Sequence, residues 1–125
     1  MCFISLHHLI SQTVDFLDRG KSPSLLAEST YDVLVDKGTY DAVSLDPEDS
    51  GAKRRAYIAT AAAVLRPRGV LAITSCNWTE EELRAHFVEG FEVLKVLPTP
   101  QFKFGGVVGN MVTSIVFKKI CDDDE

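Results

Sequence analysis

Two short runs, YDVLVD over 31–36 and VLAITS over 70–75, are apolar without a clean polar alternation. A strand with one wet face alternates, whereas a strand covered on both faces, as in a parallel sheet, does not. The pattern therefore predicts two buried strands. Between them, DPEDSGAKRRAYIATAAAVLRPRG places Tyr57, Ala61, Val64 and Leu65 at helical spacing, and Pro67 and Gly69 stop the run. Strand, helix and strand in that order predict a right-handed βαβ unit.

The next segment, NWTEEELRAHFVEG, has Thr79 followed three residues later by Glu82, the signature of a capping box. Leu83 and Phe87 supply an apolar stripe, and Gly90 closes this second helix. FEVLKVLP (91–98) reads as a strand closed by Pro98 and Pro100, and MVTSIVFKK (111–119) as another after the glycine-rich FGGVVGN. With no helix between them, these two strands are expected to pair antiparallel. From residue 31 the order is β-α-β-α-β-β, an α/β fold. In the first thirty residues, HLISQTVDFL reads as one more strand at 9–14, ending near Asp15, with the polar linker DRGKSPS behind it.

Composition narrows the picture modestly. At 125 residues the chain is at most one smallish domain, and 46% hydrophobic residues place it among globular proteins. A net charge of −5 gives no basic footprint for nucleic acid. The run Asp122–Asp123–Asp124–Glu125 reads as a solvated tail over 120–125. Cys2, Cys76 and Cys121 show neither a disulfide framework nor zinc spacing, which suits a reducing compartment. MCFISLHHLI lacks a basic leading region and is too short to span a membrane. The expectation is a cytoplasmic protein, with the nucleus as the alternative.

The stretch that invites chemistry is DVLVDKGTYDAVSLDPED, where an apolar strand ends in Asp36-Lys37-Gly38-Thr39. Loops at strand ends of α/β sheets are where ligands bind. An aspartate there serves equally well as a turn or helix-capping residue, and Gly38 would supply the backbone freedom of the turn.

The β-α-β-α-β-β order with an acid at the first strand end resembles the C-terminal half of a class I methyltransferase. In those enzymes the last two strands of a seven-stranded Rossmann-like sheet form an antiparallel hairpin. VLRPRGVLAITS is similar to that family's turn into its fifth strand. DKGTYDAVSL, ITSCNWTEEEL and LPTPQFKFGG further resemble the lysine methyltransferases of translation elongation factor one-alpha, in the methyltransferase-like group. The resemblance runs from about Val14 to Lys119. It implies a protein-lysine N-methyltransferase that uses S-adenosyl-L-methionine, with elongation factor one-alpha as the suspected protein substrate.

The departure from the family is equally specific. No G-x-G-x-G-like stretch follows an apolar strand anywhere in the chain, so the strand and glycine-rich loop that hold the cofactor in the family are missing. The expectation is a truncated chain: an incomplete segment over 1–30, with a remnant of the third strand at 9–14, then half a methyltransferase domain over 31–119. The strand at 31–36 is left with an unpaired edge, which invites self-association.

By resemblance, Asp36 borders both cofactor and substrate amine, and Asn77 orients the amine. Asp15 and Phe16 follow the third strand and meet the adenine of the cofactor. Lys37, Tyr40 and Trp78 belong to the substrate side. For each the residues also allow a plainer reading: Lys37 solvated, Tyr40 in the core, Trp78 in packing. A lysine amine costs roughly 4–5 kcal/mol to deprotonate at neutral pH. Asp36 would favour the ammonium, so its role is to capture and aim the lysine, and no dedicated general base is visible.

Other signals carry less. RGKSPS lacks the first glycine of a phosphate-binding loop, and Pro23 breaks the helix that loop needs. His7-His8 has no metal ligands at useful spacing. Lys53, Arg54 and Arg55 read as a solvated helix face. Two further functions stay open beside the leading one: a non-catalytic interaction fragment of the same family, and a small-molecule methyltransferase.

Overall fold

A computed structural model describes residues 2–5, 10–21, 23–98, 102–104, 107–109 and 112–120. Near the start, β1 (Cys2–Ser5) and β2 (Ile10–Thr13) pair antiparallel as a sheet of their own. Within the segment 9–14, Ile10–Thr13 forms β2, whose partner is β1 and not a strand of the main sheet.

The main sheet is built from β3 (Tyr31–Lys37), β4 (Leu65–Ser75), β5 (Phe91–Leu97) and β8 (Thr113–Lys119). Its order is β3-β4-β8-β5. β3 and β4 run parallel, and β8 is antiparallel to both β4 and β5. The βαβ unit and the terminal antiparallel pair are therefore present as the pattern predicts.

α2 (Ser50–Val64) connects the parallel strands, and Asp49 caps it by accepting a hydrogen bond from the Ala52 amide at 3.3 Å. Tyr57, Thr60, Ala61 and Val64 form its buried face, at the i, i+3, i+4, i+7 positions. Leu65, which the helical spacing included, is already extended and opens β4 five residues earlier than the apolar run suggests. The register explains the difference. Tyr31 pairs with Leu65 but Val33 pairs with Val70, so Arg66 to Gly69 loop out of the ladder. Gly69 is needed in that loop, because a Cβ there would lie 2.8 Å from the Arg66 carbonyl oxygen.

α3 (Glu80–Phe87) starts in the expected capping box. The Thr79 amide donates to Glu82 Oε1 at 2.9 Å, and the Glu82 amide donates to Thr79 Oγ1 at 3.1 Å. Leu83 and Phe87 are fully buried. Phe87 stacks on Phe117 at 4.8 Å and meets Phe91 at 5.8 Å, fixing the helix over β5 and β8. Each such ring contributes about 1.5–3 kcal/mol through burial.

Besides β1, further elements were not legible in the pattern. α1 (Thr39–Ser44) turns directly off β3, and the glycine-rich connection holds a small antiparallel pair, β6 (Phe102–Phe104) with β7 (Val107–Gly109).

The sheet has two unlike faces. Leu34, Leu71, Ile73, Ile115 and Phe117 are buried in the core with the helices. On the opposite face, Val33 and Val35 are 53% and 72% exposed. β3 pairs only with β4 among the described residues and stands at one end of the sheet order.

Candidate functional site

The chain leaves β3 at Asp36-Lys37 and reverses at Gly38, whose φ of 95° lies in the left-handed region that suits glycine. The reversal aims the first turn of α1 back at the strand end. Asp36 Oδ1 accepts from the Thr39 amide at 2.9 Å, and Oδ2 accepts from the Tyr40 amide at 3.1 Å and, in a short bond, from the Tyr57 hydroxyl. Only 2% of Asp36 is exposed. Burial raises the pKa of its carboxyl, against the opposing pull of these three hydrogen bonds. Burial, followed by the neighbouring carboxylate, likewise lifts the Tyr57 hydroxyl well above its ordinary value.

Tyr40 is buried as well, its ring 5.0 Å from those of Tyr57 and Phe87. Its hydroxyl lies 2.8 Å from His86 Nδ1, and Arg54 lies 2.9 Å from His86 Nε2. A guanidinium only donates, so Nε2 accepts and the ring proton sits on Nδ1, donating to the Tyr40 oxygen. His86 is thereby held neutral. Burial and then the Arg54 charge lower its pKa, while burial pushes that of Tyr40 up to about 12.

α1 also holds the turn that follows β4. Ser75 donates its hydroxyl to Asp41 Oδ1 at 2.5 Å, and the Cys76 amide donates to Asp41 Oδ2 at 2.8 Å. Ser75 Oγ in turn accepts from the amides of Asn77 and Trp78, at 3.1 and 2.9 Å. The indole N–H of Trp78 donates to Ser44 Oγ at 2.7 Å, and its ring meets His86 edge-on at 4.7 Å. The structure thus joins two strand ends through one short helix. Asn77 and Cys76 remain exposed at the end of this framework, and Trp78 is half-buried within it.

The residues singled out in the sequence fall into two groups. Lys37 and Asn77 present accessible side chains at the strand ends, with Trp78 partly accessible beside Asn77. Asp36, Tyr40 and Phe16 are in the core, where Phe16 lies 5.2 Å from the ring of Tyr57. Asp15 is exposed and accepts from the Leu17 amide at 3.0 Å and from Lys21 at 3.2 Å. The amide bond and then the lysine lower its pKa. Asp41, Ser44, Ser75 and His86 were not singled out. Their partners lie 32 to 46 residues away in sequence, beyond the reach of any local pattern.

The fit of a methyl-donor cofactor can be judged on Asp15, Phe16 and Asp36. The carboxylate of Asp36 is enclosed and bonded on both oxygens, and Phe16 is 4% exposed with its ring against Tyr57. Neither offers a free surface, so Asp36 and Phe16 do not form a cradle for such a group, and Asp15 alone of the three is exposed.

No family model matches the chain. It is 48% identical over 114 residues to EEF1A lysine methyltransferase 2 of Danio rerio, covering 91% of this chain and 47% of the relative. The human protein of the same name is 50% identical over 92 residues, covering 74% and 39%. Protein-lysine N-methyltransferase efm4 of Schizosaccharomyces pombe is 38% identical over 120 residues, covering 92% and 50%. The chain therefore spans about half the length of the curated relatives it matches. Among solved structures, the N-methyltransferase NodS of Bradyrhizobium japonicum, in complex with S-adenosyl-L-homocysteine, aligns with a TM-score of 0.59 at 15% identity. That alignment covers 86% of this chain and 53% of NodS. A structure solved for the conversion of a disulfide bond into a thioacetal group during echinomycin biosynthesis aligns at 0.57 with 15% identity. In sequence the chain is similar to part of the proteins named EEF1A lysine methyltransferase 2, and in fold it resembles the N-methyltransferase NodS.

Proposed function

We propose that this chain is the substrate-side half of a protein-lysine N-methyltransferase that works with S-adenosyl-L-methionine on elongation factor 1-alpha. The observation that carries the reading is 48% identity over 91% of the chain to a relative named for that activity. The geometry supports the substrate-side part of it. Asp36, Tyr40 and Tyr57 form a buried frame that fixes where β3 ends, and Asp41 and Ser75 fix the turn after β4.

On that frame the side chains of Lys37, Asn77 and Trp78 are the ones presented to a substrate. Trp78, anchored through its indole N–H, offers an apolar edge along which a lysine stem can lie. The Asn77 carboxamide can accept from an amine and orient it. Alignment of reacting groups supplies much of the rate in such displacements, so a rigid turn at this point has a direct purpose. Asp36 acts through the frame, as a positioning residue. When bound, S-adenosyl-L-methionine supplies the methyl group, and Lys37, Asn77 and Trp78 hold and orient the lysine that receives it.

The test is transfer of tritium from labelled S-adenosyl-L-methionine to purified elongation factor 1-alpha. The chain is assayed alone, and again with a polypeptide comprising the half of the Danio rerio relative that it does not match. Label on a lysine only in the second mixture is expected. Label in neither mixture overturns the methyltransferase reading. Label with the chain alone overturns its assignment to the substrate side only.

A further inference from the structure

The turn after β4 forms one wall of an open trough of about 290 Å³. Asn77, Trp78 and Glu80 stand on that wall, and Val96 and Leu97 of β5 and Thr113 of β8 complete it. Neither Asp36 nor Tyr40 lines it.

The near wall is built in advance. The amides of Cys76, Asn77 and Trp78 are all spent inward, on Asp41 and Ser75. The wall therefore has little freedom to lose on binding, which lowers the cost of recognition. The carboxamide of Asn77 makes no hydrogen bond among the described residues and is exposed.

The lining suits a polypeptide better than a small molecule. Small-molecule sites are enclosed and mostly apolar. This trough is only partly enclosed and sets a carboxamide and hydroxyls beside the aliphatic Val96 and Leu97. An extended peptide presents the matching series, with backbone amides between side chains that point to alternate sides.

Charge narrows the partner further. Glu80, Glu81 and Glu82 occupy the first turn of α3, and Glu80 stands on the lining of the trough. Among the described residues Glu80 is engaged only by Arg84, at 2.7 Å, in a pair about half exposed on both sides. Such exposed pairs contribute little and exchange readily for another cation.

We propose that this trough docks an extended, basic segment of the protein substrate, next to the lysine that receives the methyl group. The inference rests on the lysine-methyltransferase reading and adds where the substrate chain runs. An apolar side chain of the segment covers Leu97, a peptide group meets Asn77, and a lysine or arginine faces the acidic turn.

Cys76 is exposed on the lining and serves as a reporter. Its alkylation by N-ethylmaleimide is followed by peptide mapping, with and without purified elongation factor 1-alpha, while binding is measured by interferometry. Bound elongation factor is expected to slow alkylation of Cys76 about tenfold, and Leu97→Trp, which fills the trough, to weaken binding about tenfold. Leu94→Trp, on the same strand and outside the lining, controls for folding and is expected to bind as the unsubstituted chain does. Binding with Cys76 unprotected, or unchanged by Leu97→Trp, overturns the trough and leaves the methyltransferase reading intact. Absence of any binding also overturns the trough, and the tritium transfer then decides the wider reading separately.

Discussion

The hydroxyl of Tyr57, in the middle of α2, donates to the carboxylate of Asp36 at the end of β3. The same carboxylate accepts from the two leading amides of α1, at Thr39 and Tyr40. A single buried acid therefore ties a strand end, the helix that follows it and the crossover helix together. Its buried position and its bonds give it a structural task that an exposed turn aspartate would not have.

Loss of one donor to a buried charged acceptor costs about 1.5–3 kcal/mol. Tyr57→Phe is accordingly expected to destabilise the chain by about that amount, read from the midpoint of urea unfolding at unchanged slope. Asp36→Ala strands three donors at once and is expected to cost more, about 3 kcal/mol or above. Equal midpoints for Asp36→Ala and the unsubstituted chain would show that the network contributes nothing.

His86 provides a pH signature. Its pKa is lowered from 6.5, so between that lowered value and 6.5 the unfolded chain binds a proton that the folded chain refuses. Stability is thus fully present above about pH 6.5 and falls as the pH drops through the lowered value. Protonation also sets a new N–H against Arg54 and places an imidazolium against the sole tryptophan, Trp78, at 4.7 Å. Emission from Trp78 is expected to fall on acidification with a midpoint below 6.5, and His86→Gln to remove that transition. A transition that survives His86→Gln would assign it elsewhere.

The turn after β4 depends on Asp41. Asp41→Ala leaves the Cys76 amide and the Ser75 hydroxyl without their acceptor, at a cost of about 1–3 kcal/mol concentrated in that turn. Hydrogen exchange at Cys76, Asn77 and Trp78 is expected to accelerate at least about tenfold, while amides in β8 keep their rates. Uniform acceleration across the sheet would mean that Asp41 supports global stability instead.

How much of this was legible in the sequence follows from the range of each interaction. The capping box at Thr79 and Glu82 spans three residues, and the stripe of Tyr57, Ala61 and Val64 is one helix face, so both could be read directly. The sheet's strands followed from their apolar runs, and the antiparallel ending from the absence of a helix between β5 and β8. α1 was missed because six residues carry too little periodicity, and its stability comes from Asp36 outside the helix. The bonds from Asp41 to Ser75 and from His86 to Tyr40 cross 34 and 46 residues. No spacing rule reaches that far, although the acid of GTYDAVS and the serine at the end of VLAITS were both in view. Asn77 and Trp78 were singled out through resemblance, and what holds them in place became visible only through the fold.

Gly69 is a test of the looped register between β3 and β4. A methyl group there would lie 2.8 Å from the Arg66 carbonyl oxygen and 3.1 Å from the Leu65 side chain. The backbone must shift to admit it, so Gly69→Ala is expected to cost about 1–3 kcal/mol. Gly38→Ala meets no atom within 4 Å and is strained through its φ of 95° alone. Its expected cost is smaller, about 1–2 kcal/mol. Thermal unfolding of both variants ranks them, and a milder effect at Gly69 than at Gly38 would contradict the close approach.

β3 stands at one end of the sheet order and pairs with β4 alone among the described strands, with Val33 and Val35 exposed along it. Unpaired edges with apolar neighbours recruit further strands, and natural sheets blunt them with charge, lysine above all. The chain is expected to self-associate as its concentration rises, seen by sedimentation velocity. Val35→Lys replaces a side chain that is 72% exposed, so its effect on stability is expected to stay within about 0.5 kcal/mol. The same change places a charge on the pairing edge and is expected to shift the population towards monomer. A chain that stays monomeric at every concentration, or associates equally with Val35→Lys, would mean that this edge is covered in some other way.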